Sequence, residues 1–108
     1  MALYTSVLPS NIDPTPSATG TIGAVAIGLT AVQVLAANAG RKGFSIQNTS
    51  NRILYLGIAN TVSTTANFFA IIPANGLYEW SMESVYTGAI FAIANLASGS
   101  AQAFEITP

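Results

Sequence analysis

Charge is nearly missing from this chain. Its 108 residues include three Lys or Arg and four Asp or Glu, 6% in all, and neither His nor Cys occurs. Without His, imidazole acid–base catalysis and Ser–His nucleophiles are excluded; without Cys, so are disulfides, thiolate nucleophiles and the usual zinc sites. Three basic side chains are too few to follow a phosphate backbone, and the net charge is −1, so nucleic acid is not an expected partner. The opening Met1-Ala2-Leu3-Tyr4-Thr5-Ser6 has no basic region, so no secretory signal is expected. No enzyme activity, cofactor or metal is expected.

Apolar surface is abundant instead: 51% of the residues are hydrophobic. A domain of this length still exposes about a third of the surface of its unfolded chain, and soluble domains usually cover that remainder with about 25% charged residues. Here Ser, Thr, Asn and Gln must do so with almost no charge repulsion against association. Much of the surface is therefore expected to be an interface between copies, with a trimer as the favoured assembly.

The longest uncharged stretch, IGAVAIGLTAVQVLAA at residues 22–37, is short of the ~20 residues a membrane helix needs. Gly23, Gly28, Thr30 and Gln33 dilute it, and Val25, Ile27, Val32 and Val34 favour strand. Two consecutive strands are expected, and no membrane partner.

Residues 1–20 differ from the rest. Pro9, Pro14 and Pro16 alternate with polar residues, each pushing its predecessor toward extended backbone, so this segment reads as an extended arm. Leu3, Tyr4, Val7, Leu8 and Pro9 are its expected anchors on a neighbouring subunit or partner. Residues 21–108 read as one all-β domain.

Within that domain short apolar runs alternate with turn residues. Strands are expected at 24–29, 31–36, 42–47, 52–58, 68–72, 77–80, 89–94 and 101–107. Phe44 and Ile46 share one face; so do Leu54 and Leu56, Tyr78 and Trp80, and Ala101, Ala103 and Glu105. Asn48-Thr49-Ser50-Asn51 has the composition of a tight turn, which makes 42–47 and 52–58 a candidate hairpin. Pro73-Ala74-Asn75-Gly76 is a second turn. The expected fold is an antiparallel two-sheet β-sandwich, jelly-roll-like, with an N-terminal arm.

Few residues carry chemistry. Glu79 and Glu83 lie about 13 Å apart on an extended strand, too far for a carboxylate pair unless a turn intervenes. Gly23 and Gly28 have phosphate-loop spacing, but Leu29 stands where the lysine belongs. Asn48-Thr49-Ser50 fits a glycosylation sequon, a motif common by chance. Tyr78, Trp80, Tyr86 and Phe91 suit core or interface packing better than a sugar-binding face. Phe68-Phe69-Ala70-Ile71-Ile72 is an uncharged, β-prone window that needs shelter in the assembly. Arg41 and Lys42 are expected to pair with Glu79, Glu83 or Glu105, within a subunit or across an interface. Trp80 joins these charged residues as an interface candidate.

Six segments between Asn38 and Glu105 form a further pattern: Asn38-Ala-Gly-Arg41-Lys42, Ile46-Gln-Asn48-Thr-Ser50, Ile53-Leu-Tyr55-Leu-Gly57, Pro73-Ala-Asn-Gly76, Gly88-Ala-Ile-Phe-Ala-Ile93 and Phe104-Glu105. This pattern resembles that of small accessory virion proteins of tailed bacteriophages. The resemblance covers about the last two-thirds of the chain and contains no catalytic motif. It implies a β-sandwich that decorates or cements a capsid, or belongs to a fibre or tail. The partners would then be copies of the chain and the major capsid or another virion protein, and the location the virion. The alternative reading is a tail- or fibre-associated module that binds carbohydrate or host through the aromatics near Tyr78–Tyr86.

Overall fold

The computed structural model describes residues 19–80 and 85–107, and within them every regular element is a strand. The strands are β1 (Thr19–Ile27), β2 (Val32–Leu35), β3 (Gly43–Asn48), β4 (Leu54–Gly57), β5 (Ala70–Ile72), β6 (Leu77–Trp80), β7 (Ile90–Ala94) and β8 (Gly99–Thr107). β1 takes in Thr19 and Gly20, which the composition had assigned to the arm. The arm anchors Leu3, Tyr4, Val7, Leu8 and Pro9 lie outside the described residues.

The strands form two four-stranded antiparallel sheets: sheet I in the order β1-β8-β3-β6 and sheet II in the order β2-β7-β4-β5. Strands adjacent in sequence lie in opposite sheets at every step but one, β4 to β5. This overturns the expected hairpin between 42–47 and 52–58, because β3 belongs to sheet I and β4 to sheet II. The intervening Asn/Ser/Thr segment is a corner between sheets. The Pro73–Gly76 turn is formed, with the Gly76 N–H donating to the Pro73 carbonyl at 2.9 Å and Asn75 at a left-handed φ of 60°. It too carries the chain between sheets. Asn tolerates that geometry because its side chain bonds locally.

The period-two patterns determine which side chains turn inward. Ile27, Phe44, Ile46, Ala101 and Ala103 from sheet I join Val34, Leu54, Leu56, Ile72, Ile90, Ala92 and Ala94 from sheet II in one buried cluster. Of the four central strands, β7 and β8 offer mostly alanine inward, against Ile, Leu and Phe from β3 and β4, so large and small side chains interdigitate. β1 runs along β8 in register from Thr19↔Thr107 to Ile27↔Gly99, and forms one edge of sheet I.

Candidate interaction surfaces

Two buried polar hubs flank β3. At its start, the Arg41 side chain is completely buried and its Nε donates to Glu105 Oε2 at 2.6 Å, the carboxylate being 16% exposed. Nη1 donates to the carbonyls of Tyr86 (2.7 Å) and Gly88 (3.0 Å), and Nη2 to that of Ala36 (2.6 Å). The guanidinium also lies 5.4 Å from the centre of the Phe44 ring, within cation–π range. Asn38 Nδ2 holds the other Glu105 oxygen at 3.2 Å, and its backbone N–H donates to the Thr87 carbonyl. Arg41 thus ties the β2–β3 connection, the segment before β7 and the end of β8 to one point. A planar five-donor group suits this task; an ammonium would not reach all four acceptors.

At the other end of β3, Asn48 is fully buried. Its Nδ2 lies within hydrogen-bonding distance of the carbonyls of Arg52 (2.5 Å), Ile72 (3.2 Å) and Pro73 (3.0 Å), and its Oδ1 accepts from the Ser50 N–H and hydroxyl. The same residue therefore locks the β3–β4 corner and the end of β5. The amide nitrogen that a glycan would use is enclosed, so the sequon serves the corner. Composition assigns Asn48 to a turn; continuing the alternation of Phe44 and Ile46 by one step puts it on the inward face, and that is the signal for this hub.

The aromatics of β6 turn inward as well. Trp80 lies 5.5 Å from Phe44, 5.7 Å from Phe69 and 6.1 Å from Tyr86, centroid to centroid, and Tyr78 lies 5.6 Å from Phe69. Tyr78, Trp80 and Tyr86 pack against the core cluster, so this set extends the core rather than offering an open ring face. Phe91 stands apart, on the outer face of sheet II, because its neighbours Ile90 and Ala92 point inward.

Of the charged candidates, Arg41 pairs with Glu105 within the chain. Lys42 is buried beside it, and its backbone N–H donates to the Ile106 carbonyl. Glu79 is exposed on the outer face of sheet I, opposite Ser45. Glu83 lies outside the described residues. No group of three or more His, Cys, Asp or Glu that could hold a metal occurs among the described residues, and none of their helices is long and apolar enough to cross a membrane.

The surface is apolar in ways that alternation alone did not foretell. Ile22, Leu29, Ile58, Ile71, Leu77 and Leu96 are each between 51% and 66% exposed. Leu29, Ile53 and Leu96 sit on neighbouring connections at one end, joined where Ala94 N–H meets the Gly28 carbonyl and Asn95 N–H meets the Ile53 carbonyl. At the opposite end, Ile58, Ala59, Thr61, Asn67, Phe68 and Phe69 line an open hollow of about 440 Å³. The 58–69 connection folds back over Gly57, where an added Cβ would meet Val62 Cβ at 2.6 Å and the Asn67 carbonyl at 2.7 Å. No protein-family model, no curated protein and no solved structure matches this chain.

Proposed function

We propose that this chain is a non-enzymatic structural subunit of a bacteriophage particle, one that decorates or cements the capsid as a homo-oligomer. The observation that carries the reading is the surface: six large aliphatic side chains more than half exposed on a chain with 6% charged residues. Such a surface is poorly suited to a soluble monomer and well suited to association. The orders β1-β8-β3-β6 and β2-β7-β4-β5 support the finer fold reading, an eight-stranded jelly-roll sandwich. Rolls of this kind serve capsid and lectin domains alike, so the fold does not choose between them. The virion assignment rests on the sequence resemblance, and the surface is compatible with it.

In this reading the two sheets make a rigid unit locked by Arg41 and Asn48, and apolar faces join the copies. The segment before β1 offers Leu3, Tyr4, Val7, Leu8 and Pro9 as the anchors on a neighbouring subunit or capsid protein. Repetition over a particle turns weak contacts into strong ones, since each engaged copy raises the effective concentration of the next. One observation favours the alternative of a glycan-binding module: the hollow beside Phe68 and Phe69 is uncharged and carries an amide at Asn67 and a hydroxyl at Thr61. Heating purified particles with and without the protein tests the main reading. Loss of the protein lowers the temperature of DNA release if it is a cement, and equal heat resistance would contradict that role.

A further inference from the structure

Strands covered on one face normally alternate apolar-in with polar-out, whereas strands covered on both faces read as continuous apolar runs. Sheet II contains strands of the second kind, and no described strand packs on its outer face. Ile90, Ala92 and Ala94 of β7 point into the core and leave Phe91 and Ile93 outward; Leu54 and Leu56 leave Tyr55 outward; Ile72 leaves Ile71 outward. The register puts Tyr55 directly beside both Ile93 and Ile71, and Phe91 beside Gly57 and Gln33. Phe68 closes edge-on against Tyr55 at 5.3 Å. An aromatic and aliphatic centre therefore spans three adjacent strands, with polar Gln33 at the β2 edge.

Sheet I differs. Its two central strands point Ser45, Gln47, Ser100 and Gln102 outward, and β6 adds Glu79. The outer face of sheet I is mixed, because Ile22, Leu77, Phe104 and Ile106 share it with those residues, and it carries a charge at Glu79, whereas the strands of sheet II carry none.

We infer that the outer face of sheet II, centred on Tyr55, Ile71 and Ile93, is the surface on which a second copy of this chain seats. The inference rests on the assembly reading above and locates its interface. The occupant follows from charge. Across a two-fold axis this face would meet itself, and in a three-fold ring it would meet another face of the same charge-poor chain; in either case a neutral apolar face meets little charge to repel it or to leave unpaired. The strands of sheet II carry no charged residue at any position, inward or outward. An aromatic centre with a polar rim is also the usual anatomy of an interface. Area adds a condition. Four strands of three to five residues make a platform roughly 19 Å by 13 Å, well below the ~800 Å² each partner gives to a standard interface. The second copy must therefore also engage the adjoining 58–69 connection, where Ile58 and Phe69 are exposed.

Light scattering on Ile71→Lys, Ile93→Lys and Gln102→Lys beside the wild type tests this. Lysine at position 71 is compatible with the fold, because Ile71 is 51% exposed on the edge strand β5, where lysine is an ordinary residue. The wild type and Gln102→Lys are expected to share one oligomeric mass. Ile71→Lys and Ile93→Lys are expected to be folded monomers by circular dichroism, with self-association weakened at least about a hundredfold. If Ile93→Lys fails to fold, Ile71→Lys decides alone. Variants that keep the wild-type mass would overturn this interface and leave the assembly reading standing. A monomeric wild type would remove both.

Discussion

Replacing Arg41 with methionine removes the donor that four separate acceptors share. The Glu105 carboxylate and the carbonyls of Ala36, Tyr86 and Gly88 all lose a partner, in a place where the guanidinium itself is fully buried. Breaking a buried ion pair by deleting one member costs about 3–5 kcal/mol, because the remaining charge is left without compensation. Glu105 keeps the Asn38 amide and some solvent, which limits its share, while the orphaned carbonyls add to the total. A loss of about 4 kcal/mol is expected, against a total stability of roughly 5–15 kcal/mol for a domain. At about 4–8 °C per kcal/mol for a chain of this size, the midpoint should fall by roughly 15–30 °C. Arg41→Lys keeps the charge but not the fork, and should cost about half as much. The double variant Arg41→Met/Glu105→Met leaves no unpaired charge and should cost about 2 kcal/mol less than the two single variants combined. Urea and thermal unfolding followed by circular dichroism, at one fixed protein concentration, provide the comparison. An Arg41→Met variant that melts within about 5 °C of the wild type would refute the argument that this side chain holds the connections together.

Asn48→Asp puts a carboxylate, which cannot donate, against the Arg52, Ile72 and Pro73 carbonyls, and should destabilise by about 3 kcal/mol or more, beyond the effect of Asn48→Ala. Equal urea midpoints for Asn48→Asp and the wild type would contradict the hub. Trp80→Ala empties the centre of the Phe44–Phe69–Tyr86 cluster and should cost about 2–3 kcal/mol, the lower side of the buried-tryptophan range because Trp80 is half-buried. Unfolding must be read by circular dichroism, since the chain has one Trp. A fully stable Trp80→Ala would mean that the ring belongs to a ligand face instead.

Alternation made the inward faces legible. Phe44 and Ile46, Leu54 and Leu56, Tyr78 and Trp80, and Ala101 and Ala103 share faces in the sequence pattern and pack into or against one core. The pattern also put Glu105 on the face shared by Ala101 and Ala103; the structure turns that face inward, where an ionised carboxylate requires a cation beside it. Arg41 meets that requirement, although three acids were open as partners from sequence. Sheet membership was not legible. Periodicity reports which way a side chain points and not which strand lies next to it, so the Asn48–Asn51 segment looked like a hairpin turn. What distinguishes it is the Asn48 amide reaching Ile72 and Pro73, residues remote in sequence. The Phe68–Ile72 window was expected to need shelter in the assembly. Within a single chain Phe69 and Ile71 remain exposed. That unmet need follows from outward apolar positions in sheet II that no other part of the described chain covers.

Self-association is the central claim, and sedimentation equilibrium of the 108-residue chain from ~1 µM to ~100 µM measures it most directly. An oligomer that persists through the dilution, with three times the chain mass of 11.1 kDa favoured, is the expected result. A single 11.1 kDa species across the whole range would contradict the account, because the exposed apolar faces would then be stable in water without a second copy.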